Sequence, residues 1–490
     1  MPHPSQAHRR ERACVIGAGP NGLAAAIVLA QAGMEVDVFE AEPDVGGAAR
    51  TMELTLPGFR HDFGSAVHPM AVGSPFFASL PLAGYGLEWI HSPAVLAHPF
   101  DDGTAIVLDR SLADAEAALA EDGKAWRALM EPLATRWADL TADILRPVIA
   151  WPRHPFLLAR FSLNALPSAS FVARRHFRGE RARALFAGLA AHSFMALDRP
   201  LSASFGMVLG AAAHAVGWPI PRGGAQSISD ALAACFTALG GRITTSKRIR
   251  HLADLPACDL TLCDLSPAQL LTLADQPDQP SGNRLSPGYR RRLGKYQYGP
   301  GAFKVDFALS RPIPWNAPDC LLAATVHVGG TLTEIEASEA AMASGRHADR
   351  PFVLVAQPTL FDPSRAPALK HIAWAYCHVP NGASESESDV MLDRIEQQIE
   401  RFAAGFRSSI QARHVLSPLA LEEEDANLIG GDIVGGANNL RQLLFRPTRR
   451  QYRTSAPDIY LCSASTPPGG GVHGMCGANA ARLALRNLKL

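Results

Sequence analysis

The residues that open a chemical argument are a glycine-rich turn, a lysine inside a strand and two histidines beside glycines. From Val15 to Glu42 the chain reads VIGAGPNGLAAAIVLAQAGMEVDVFEAE. Gly17, Gly19 and Gly22 form G-x-G-x-x-G after the apolar strand Ala13 to Ile16, and a helix of small residues closed by Gly33 follows. The first glycine permits a tight turn, the second lets backbone approach a pyrophosphate, and the third lets helix lie close on strand. The helix start adds unpaired N–H groups for phosphate oxygens. The next strand, EVDVFE, alternates and ends in Glu40, about 20 residues into the unit, where a carboxylate reaches ribose hydroxyls. Strand, turn, helix, strand and terminal acid, in that order, point to a dinucleotide-binding fold. An acid in place of an arginine at that strand end disfavours a 2′-phosphate.

In GPGAFKVDFALSRPIPW, Phe303, Val305, Phe307 and Leu309 take one face of a strand, and Ala302, Lys304, Asp306 and Ala308 take the other. A desolvated Lys304 could serve proton or oxygen chemistry; a solvent-facing lysine is the bland alternative. His473 stands in the turn PPGGGVHGM before the last helix, placed to donate to a cofactor or to act on substrate. His68 follows Asp62-x-Gly64 and is a candidate for the same cavity. Isolated histidines are more often structural.

The elements that would position these groups belong to a 490-residue chain with 47% hydrophobic and 19% charged residues, enough for two or three domains with a large core. Lys+Arg and Asp+Glu are equal at 46 each, so no global field draws in phosphate backbones, and nucleic acid is excluded as a partner. Eight cysteines show no C-x-x-C spacing, which argues against a metal site. Cys258 and Cys263 lie within the strand-like PACDLTLCDLSP and read as small buried residues in a reducing compartment. No run of 18 apolar residues exists, and MPHPSQAHRRER leads into a glycine-broken strand rather than a signal core. The expected location is cytoplasmic.

The continuation AEPDVGGAARTMELTLPGFRHDFGSAVHPM carries Gly46-Gly47, Arg50-Thr51, Gly58-Phe59 and Asp62-x-Gly64, and it resembles the extended FAD signature of the amine-oxidase and phytoene-desaturase superfamily. PRGGAQSISDALAACFTALGGRITTSKRI, FKVDFALSRPIPW, WAYCHVP, GGDIVGGANNLRQLLFRP and the C-terminal DIYLCSASTPPGGGVHGMCGANAARLAL extend the likeness over most of the chain. They are similar to phytoene-desaturase-like oxidoreductases, including the group named pyridine nucleotide-disulfide oxidoreductase domain-containing protein 2, although the dithiol of that name is absent. The resemblance implies an α/β fold: a Rossmann-like FAD-binding domain assembled from 10–75, 219–275 and 450–490, and an α+β substrate domain with a helical cap from 76–218 and 276–449. It implies a cofactor-binding set of Gly17, Gly19, Pro20, Asn21, Gly22, Glu40, Ala41, Gly46, Gly47, Arg50, Gly64, Ser65, His68, Ile249, Ser463, Val472, Gly474 and Met475. Arg50 would donate to diphosphate or flavin edge, against the alternative of a surface salt bridge. Lys304 matches the position of a superfamily lysine that holds a water beside flavin N5, and with His473 it forms the catalytic candidates. One departure stands out: between Ile249 and Leu260 the family's hairpin shortens to RHLADLPAC, which loosens the contact assigned to Ile249.

Between these segments, AVLAHPFDDGTAIVLD reads as a hairpin turned at Asp102-Gly103. Ser111 opens a capping box, and Trp126, Leu129, Leu133, Trp137, Leu140 and Ile144 recur as on one amphipathic core helix. Ile395, Ile399, Phe402, Phe406 and Ile410 read as core, while TEIEASEAAMASGRHADR reads as a surface helix and loop. From 146 to 183 eight arginines alternate with aromatic and aliphatic residues against the single acid Glu180. That segment is either a cap over the core or a surface docking on an anionic bilayer. The function expected is an FAD-dependent dehydrogenase or desaturase of an apolar, isoprenoid-like molecule, passing electrons to O2, a quinone or NAD. A flavin amine oxidase producing hydrogen peroxide, a redox-neutral isomerase and an FAD-holding interaction protein keep the same motifs.

Overall fold

The computed structural model describes residues 11–274 and 284–489; the arginine pair at 9 and 10 lies outside them. Its main strands are β1 (Arg12–Ile16), β2 (Glu35–Phe39), β3 (Leu96–Pro99), β4 (Ala105–Leu108), β5 (Arg242–Thr244), β6 (Leu260–Cys263), β7 (Gly301–Leu309), β8 (Thr325–Val328), β9 (Val353–Ala356), β10 (His371–Val379), β11 (Ile410–Leu416) and β12 (Ile459–Leu461). A parallel sheet runs β12-β6-β1-β2-β5, and a mixed sheet runs β11-β7-β10-β9-β8-β3-β4. The molecule is thus an α/β protein with a Rossmann-like unit beside a second, larger sheet.

The parallel sheet is buried on both faces, so its strands are short apolar runs: Ala13, Val15, Val36, Val38, Leu260 and Leu262 are all sealed. Helix Pro20–Gln31 starts with proline in its first turn and buries Asn21 to Val28 without interruption. Glycine at the points of closest approach lets it fit tightly between sheet and neighbouring helices. A Cβ on Gly22 would stand 2.1 Å from the Gly17 carbonyl oxygen, and one on Gly477 would stand 1.8 Å from that of Asn21. Glycine at both positions lets Pro20–Gln31 press against β1 and against the last helix, Met475–Leu488.

The second sheet separates two cores. Phe303, Val305, Phe307 and Leu309 of β7 join Ile395, Ile399 and Phe402 of helix Ser388–Phe402 on one face. The other face, with Leu354, Ala356, Trp374 and Tyr376, meets a helical cap carrying Trp126, Phe186 and Met207. The hairpin at Asp102-Gly103 forms as the sequence predicts, with Phe100 N–H donating to the Thr104 carbonyl.

Two expectations change. The single helix expected from Ser111 is three pieces, Leu112–Ala118, Gly123–Ala134 and Trp137–Ile144. Gly123 rides so close to the first piece that a Cβ would lie 1.9 Å from the Glu116 carbonyl oxygen, and Arg136 leaves helical geometry at φ −116° and ψ 35°. The apolar stripe survives because each piece turns its own face inward. The helix within TEIEASEAAMASG, Leu332–Ala343, is half core: Leu332, Ile335 and Met342 are buried, and so is Glu339. Glu339 Oε2 sits 2.8 Å from His378 Nδ1 on β10, both side chains fully enclosed. Removing one partner of an enclosed polar pair strands the other, at a cost of about 3–5 kcal/mol if the pair is ionic and less if it is neutral. Glu339→Ala should therefore lower unfolding stability in urea by at least about 2 kcal/mol, whereas the exposed Glu387→Ala should change it by less than about 0.5 kcal/mol.

Candidate active site

A cavity of about 610 Å³ runs from the glycine turn of the Rossmann-like unit to the inner face of the second sheet. At its first end stand Gly19, Pro20, Asn21, Gly47, Gly64, Ser65, His68, Ser463 and Val472 of the expected cofactor set, together with the catalytic candidate His473. Gly17, Gly22, Glu40, Ala41, Gly46, Arg50, Ile249, Gly474 and Met475 lie outside this lining, and so does Lys304.

The turn is shaped by a residue that sequence reading passed over. Asp264 follows β6 directly, lines the cavity, and its Oδ2 accepts the Gly22 N–H at 2.8 Å. A Cβ on Gly19 would come within 2.9 Å of the same oxygen, and one on Gly17 within 3.2 Å of the Asp264 Cβ. The signal was an acid ending a parallel strand, in CDLSP. Burial pushes the Asp264 carboxyl up to about 7, with the nearby Asp425 and Glu40 carboxylates acting in the same direction.

Glu40 directly follows β2, one residue beyond its last strand position Phe39, and its carboxylate accepts Ala18 N–H at 2.7 Å and Glu42 N–H at 3.0 Å. Those bonds tie strand end to glycine turn. Arg50 is buried and forms no salt bridge among the described residues: Nε donates to the Gly47 carbonyl at 2.7 Å, Nη2 donates to the Glu424 carbonyl at 3.1 Å, and the guanidinium lies over Phe63. It therefore braces the Gly46-Gly47 turn from behind. Ile249 packs with Ile16 and Cys263 under the sheet.

At the C-terminal turn, His473 Nδ1 accepts the Met475 N–H at 3.1 Å, and burial draws its pKa down to about 4. It is a neutral imidazole at a helix start, with Nε2 carrying the proton. Gly474, at φ 66°, is the cap of Met475–Leu488 and abuts Phe76 and Phe77. His68 is likewise buried and neutral, its pKa drawn to about 4 by burial. Asn21 Oδ1, Ser65 Oγ and His68 Nε2, all on residues of the cavity wall, have no hydrogen-bond partner among the described residues.

Lys304 occupies the strand face that the alternation predicts, buried, with its ammonium on Asp306 and 5.9 Å from the Trp374 ring centre. Asp306 also faces His61 and His414. Burial opposes its ionisation, yet Lys304, with His414 and His61, holds the carboxyl below its usual range. The lysine is thus engaged in a closed charge cluster beside the cavity.

The far end is aromatic and aliphatic: Leu209, Trp218, Phe194, Leu354, Trp374 and Tyr376 line it together with His192 and Thr325. No group of metal-binding side chains occurs among the described residues.

Comparison with known proteins agrees with this architecture. Residues 15–78 match the NAD(P)-binding Rossmann-like domain family. The rat pyridine nucleotide-disulfide oxidoreductase domain-containing protein 2 is 27% identical, over 97% of this chain and 94% of its own. A lycopene-forming phytoene desaturase from Pseudescherichia vulneris is 25% identical over 97% of this chain and 99% of its own. Among solved structures, an oxidoreductase from Methanosarcina mazei superposes with a TM-score of 0.64 at 16% identity, over 97% of this chain and 100% of that one. Cyclohexylamine oxidase from Brevibacterium oxydans gives 0.57 at 14% identity, over 98% and 100%. The chain is thus similar in sequence to phytoene desaturases and shares its fold with an amine oxidase. Its homologues include the pyridine nucleotide-disulfide oxidoreductase domain-containing protein 2 group and phytoene desaturases.

The Asp264 shift has a pH consequence with a definite sign. A carboxyl raised on folding favours the protonated native state, so its contribution is complete below pH 3.8 and is lost as pH rises through about 7. Ligand-free protein should therefore lose thermal stability from this group across that interval. Asp264→Asn keeps an acceptor for Gly22 N–H and should flatten the decline by roughly 3–8 °C in Tm, read by scanning calorimetry from pH 4.5 to 8.

Proposed function

We propose that this protein is an FAD-dependent dehydrogenase or desaturase acting on a largely apolar molecule. The observation that carries the reading is one continuous cavity, with a phosphate-ready glycine turn at one end and an aromatic and aliphatic wall at the other. FAD fits the residues present. Gly19, Pro20 and Asn21 offer backbone at a helix start, Glu40 stands at the strand end suited to a ribose, and Asn21, Ser65 and His68 hold buried polar atoms that need partners. When bound, the flavin supplies a two-electron acceptor for a C–H bond. The chain's own residues then have three tasks. The apolar wall orients substrate and excludes water, His473 keeps the C-terminal helix start aimed at the cavity, and the electropositive end of that helix favours negative charge. The electron acceptor is O2, a quinone or NAD. The amine-oxidase alternative draws least support, because the Lys304 ammonium is already paired with Asp306.

Purified protein should be yellow, with FAD released intact by acid and identified by mass. Gly19→Val should abolish retention, because the added bulk meets the Asp264 carboxylate and fills the pyrophosphate approach. A colourless wild type that takes up no FAD on reconstitution overturns the reading.

The substrate's route leads to the arginine-rich segment. Leu158, Phe161 and Leu166 of 155–166 line the cavity, while Trp151, Phe156, Leu163 and Phe171 project outward, Trp151 88% and Phe156 89% exposed. Arg153, Arg160 and Arg175 around them are exposed and carry no ion pair among the described residues. No single helix here is long and apolar enough to cross a membrane. The patch suits peripheral contact with an anionic bilayer, aromatic groups in the interface and arginines on headgroups. Sedimentation with phosphatidylglycerol vesicles should fall as salt rises from 0.05 to about 0.5 M, since the Debye length shrinks from above 10 Å towards about 4 Å. The double variant Trp151→Ser, Phe156→Ser should lose most of the binding, and indifference to lipid charge would remove the bilayer from the proposal.

A further inference from the structure

The polar atoms at the far end of the cavity carry an inference about substrate class. Cross-strand register lays Thr325, Ala356 and Trp374 in one row over β8, β9 and β10, and His327, Leu354 and Tyr376 in the next. Thr325, Leu354, Ala356, Trp374 and Tyr376 all line the cavity. Within this wall Thr325 Oγ1 and Trp374 Nε1 are buried without a hydrogen-bond partner among the described residues, on side chains 5% and 9% exposed. The Tyr376 hydroxyl makes no hydrogen bond there either, and its ring stands 5.0 Å from that of Trp374.

A histidine pair stands at the margin of this wall. His192 lines the cavity, and its Nε2 lies 3.2 Å from His327 Nε2. Burial draws His192 down to about 3 and His327 well below its usual value, so both rings are neutral and one Nε2–H donates to the other Nε2. His327 Nδ1 is buried and has no hydrogen-bond partner among the described residues.

Three unpartnered donors on one wall of an otherwise apolar cavity ask for an acceptor, because a donor left unpaired is costly and an aliphatic ligand cannot satisfy it. We infer that the substrate is an apolar molecule bearing a carbonyl or hydroxyl oxygen, which seats between Trp374, Tyr376 and Thr325, with His192 at the margin. This rests on the reading of the cavity as an apolar substrate site. It adds that a bare hydrocarbon is the wrong ligand.

Headspace gas chromatography over the resting protein, with heptane, 2-heptanone and 2-heptanol as probes, measures retention without any turnover. The expected result is that 2-heptanone binds about tenfold more tightly than heptane, the scale of one or two hydrogen bonds. Trp374→Phe and Tyr376→Phe should each lower ketone retention several-fold, and the double variant should erase the ketone's advantage. Tyr376→Phe and Thr325→Val remove only a hydroxyl or exchange it for a methyl, so packing persists and heptane retention should change less than twofold. Equal retention of heptane and ketone by the wild type, or an advantage that survives the double variant, overturns the inference and leaves the apolar site standing. Retention of neither probe overturns both readings.

Discussion

The contact between the Asp264 carboxylate and the glycine turn is the constraint on which the rest of the site depends. One oxygen accepts the Gly22 N–H, and the same side chain fills the space beside Gly17, Gly19 and Gly22. The turn is therefore held by a residue 242 positions away in sequence. Asn427 Nδ2 donates to the Asp264 carbonyl, and Asn427 Oδ1 accepts the Ser266 N–H, so the same point also fastens the chain that returns from the second sheet. Burying an acid here is unfavourable to its charge, which is why its pKa rises. The helix start that it supports carries partial positive charge, which offsets part of that cost.

A second buried acid joins the two halves. Asp62 accepts the Thr51 hydroxyl and the Ala225 N–H through Oδ1 and pairs with the fully enclosed Arg365 at 2.8 Å through Oδ2. Arg365 Nε donates in turn to the Arg60 carbonyl. Three distant stretches, near 51–62, 225 and 365, thus converge on one carboxylate. An enclosed ion pair adds little net stability over an apolar substitute, but breaking one side of it is expensive, so the geometry is strongly specified.

Legibility in the sequence followed range. The glycine turn, β2 leading into Glu40 and the hairpin at Asp102-Gly103 depend on neighbours within a few residues, and local chemistry named them. The alternation of β7 was readable to the extent of putting Lys304 and Asp306 on one face, and a period of two already makes them partners. Their mutual neutralisation, and hence the lysine's withdrawal from the cavity, needed the burial that only the folded chain supplies. Asp264 and Glu339 were opaque for the converse reason. Each looks like an ordinary acid until a partner from elsewhere in the chain, Gly22 or His378, encloses it. Periodicity also misled at Ser111: the stripe from Trp126 to Ile144 was real, but spacing alone does not register Gly123 packed against Glu116 or the break at Arg136.

The division of the second sheet explains how one scaffold serves two opposing demands. On β7, β9 and β10 the odd face of aliphatic and aromatic side chains is sealed under helix Ser388–Phe402 and supplies burial without polar obligations. The opposite face takes every costly group: Lys304 with Asp306, His378 with Glu339, and the unpartnered Trp374 and Thr325. The partners in the first two pairs engage each other and tie the wall together. The latter two stay open where the wall meets the cavity. A polar atom left unpaired in a native interior is tolerated when something else completes it, so the open donors mark the part of the wall that folding leaves for a ligand to finish.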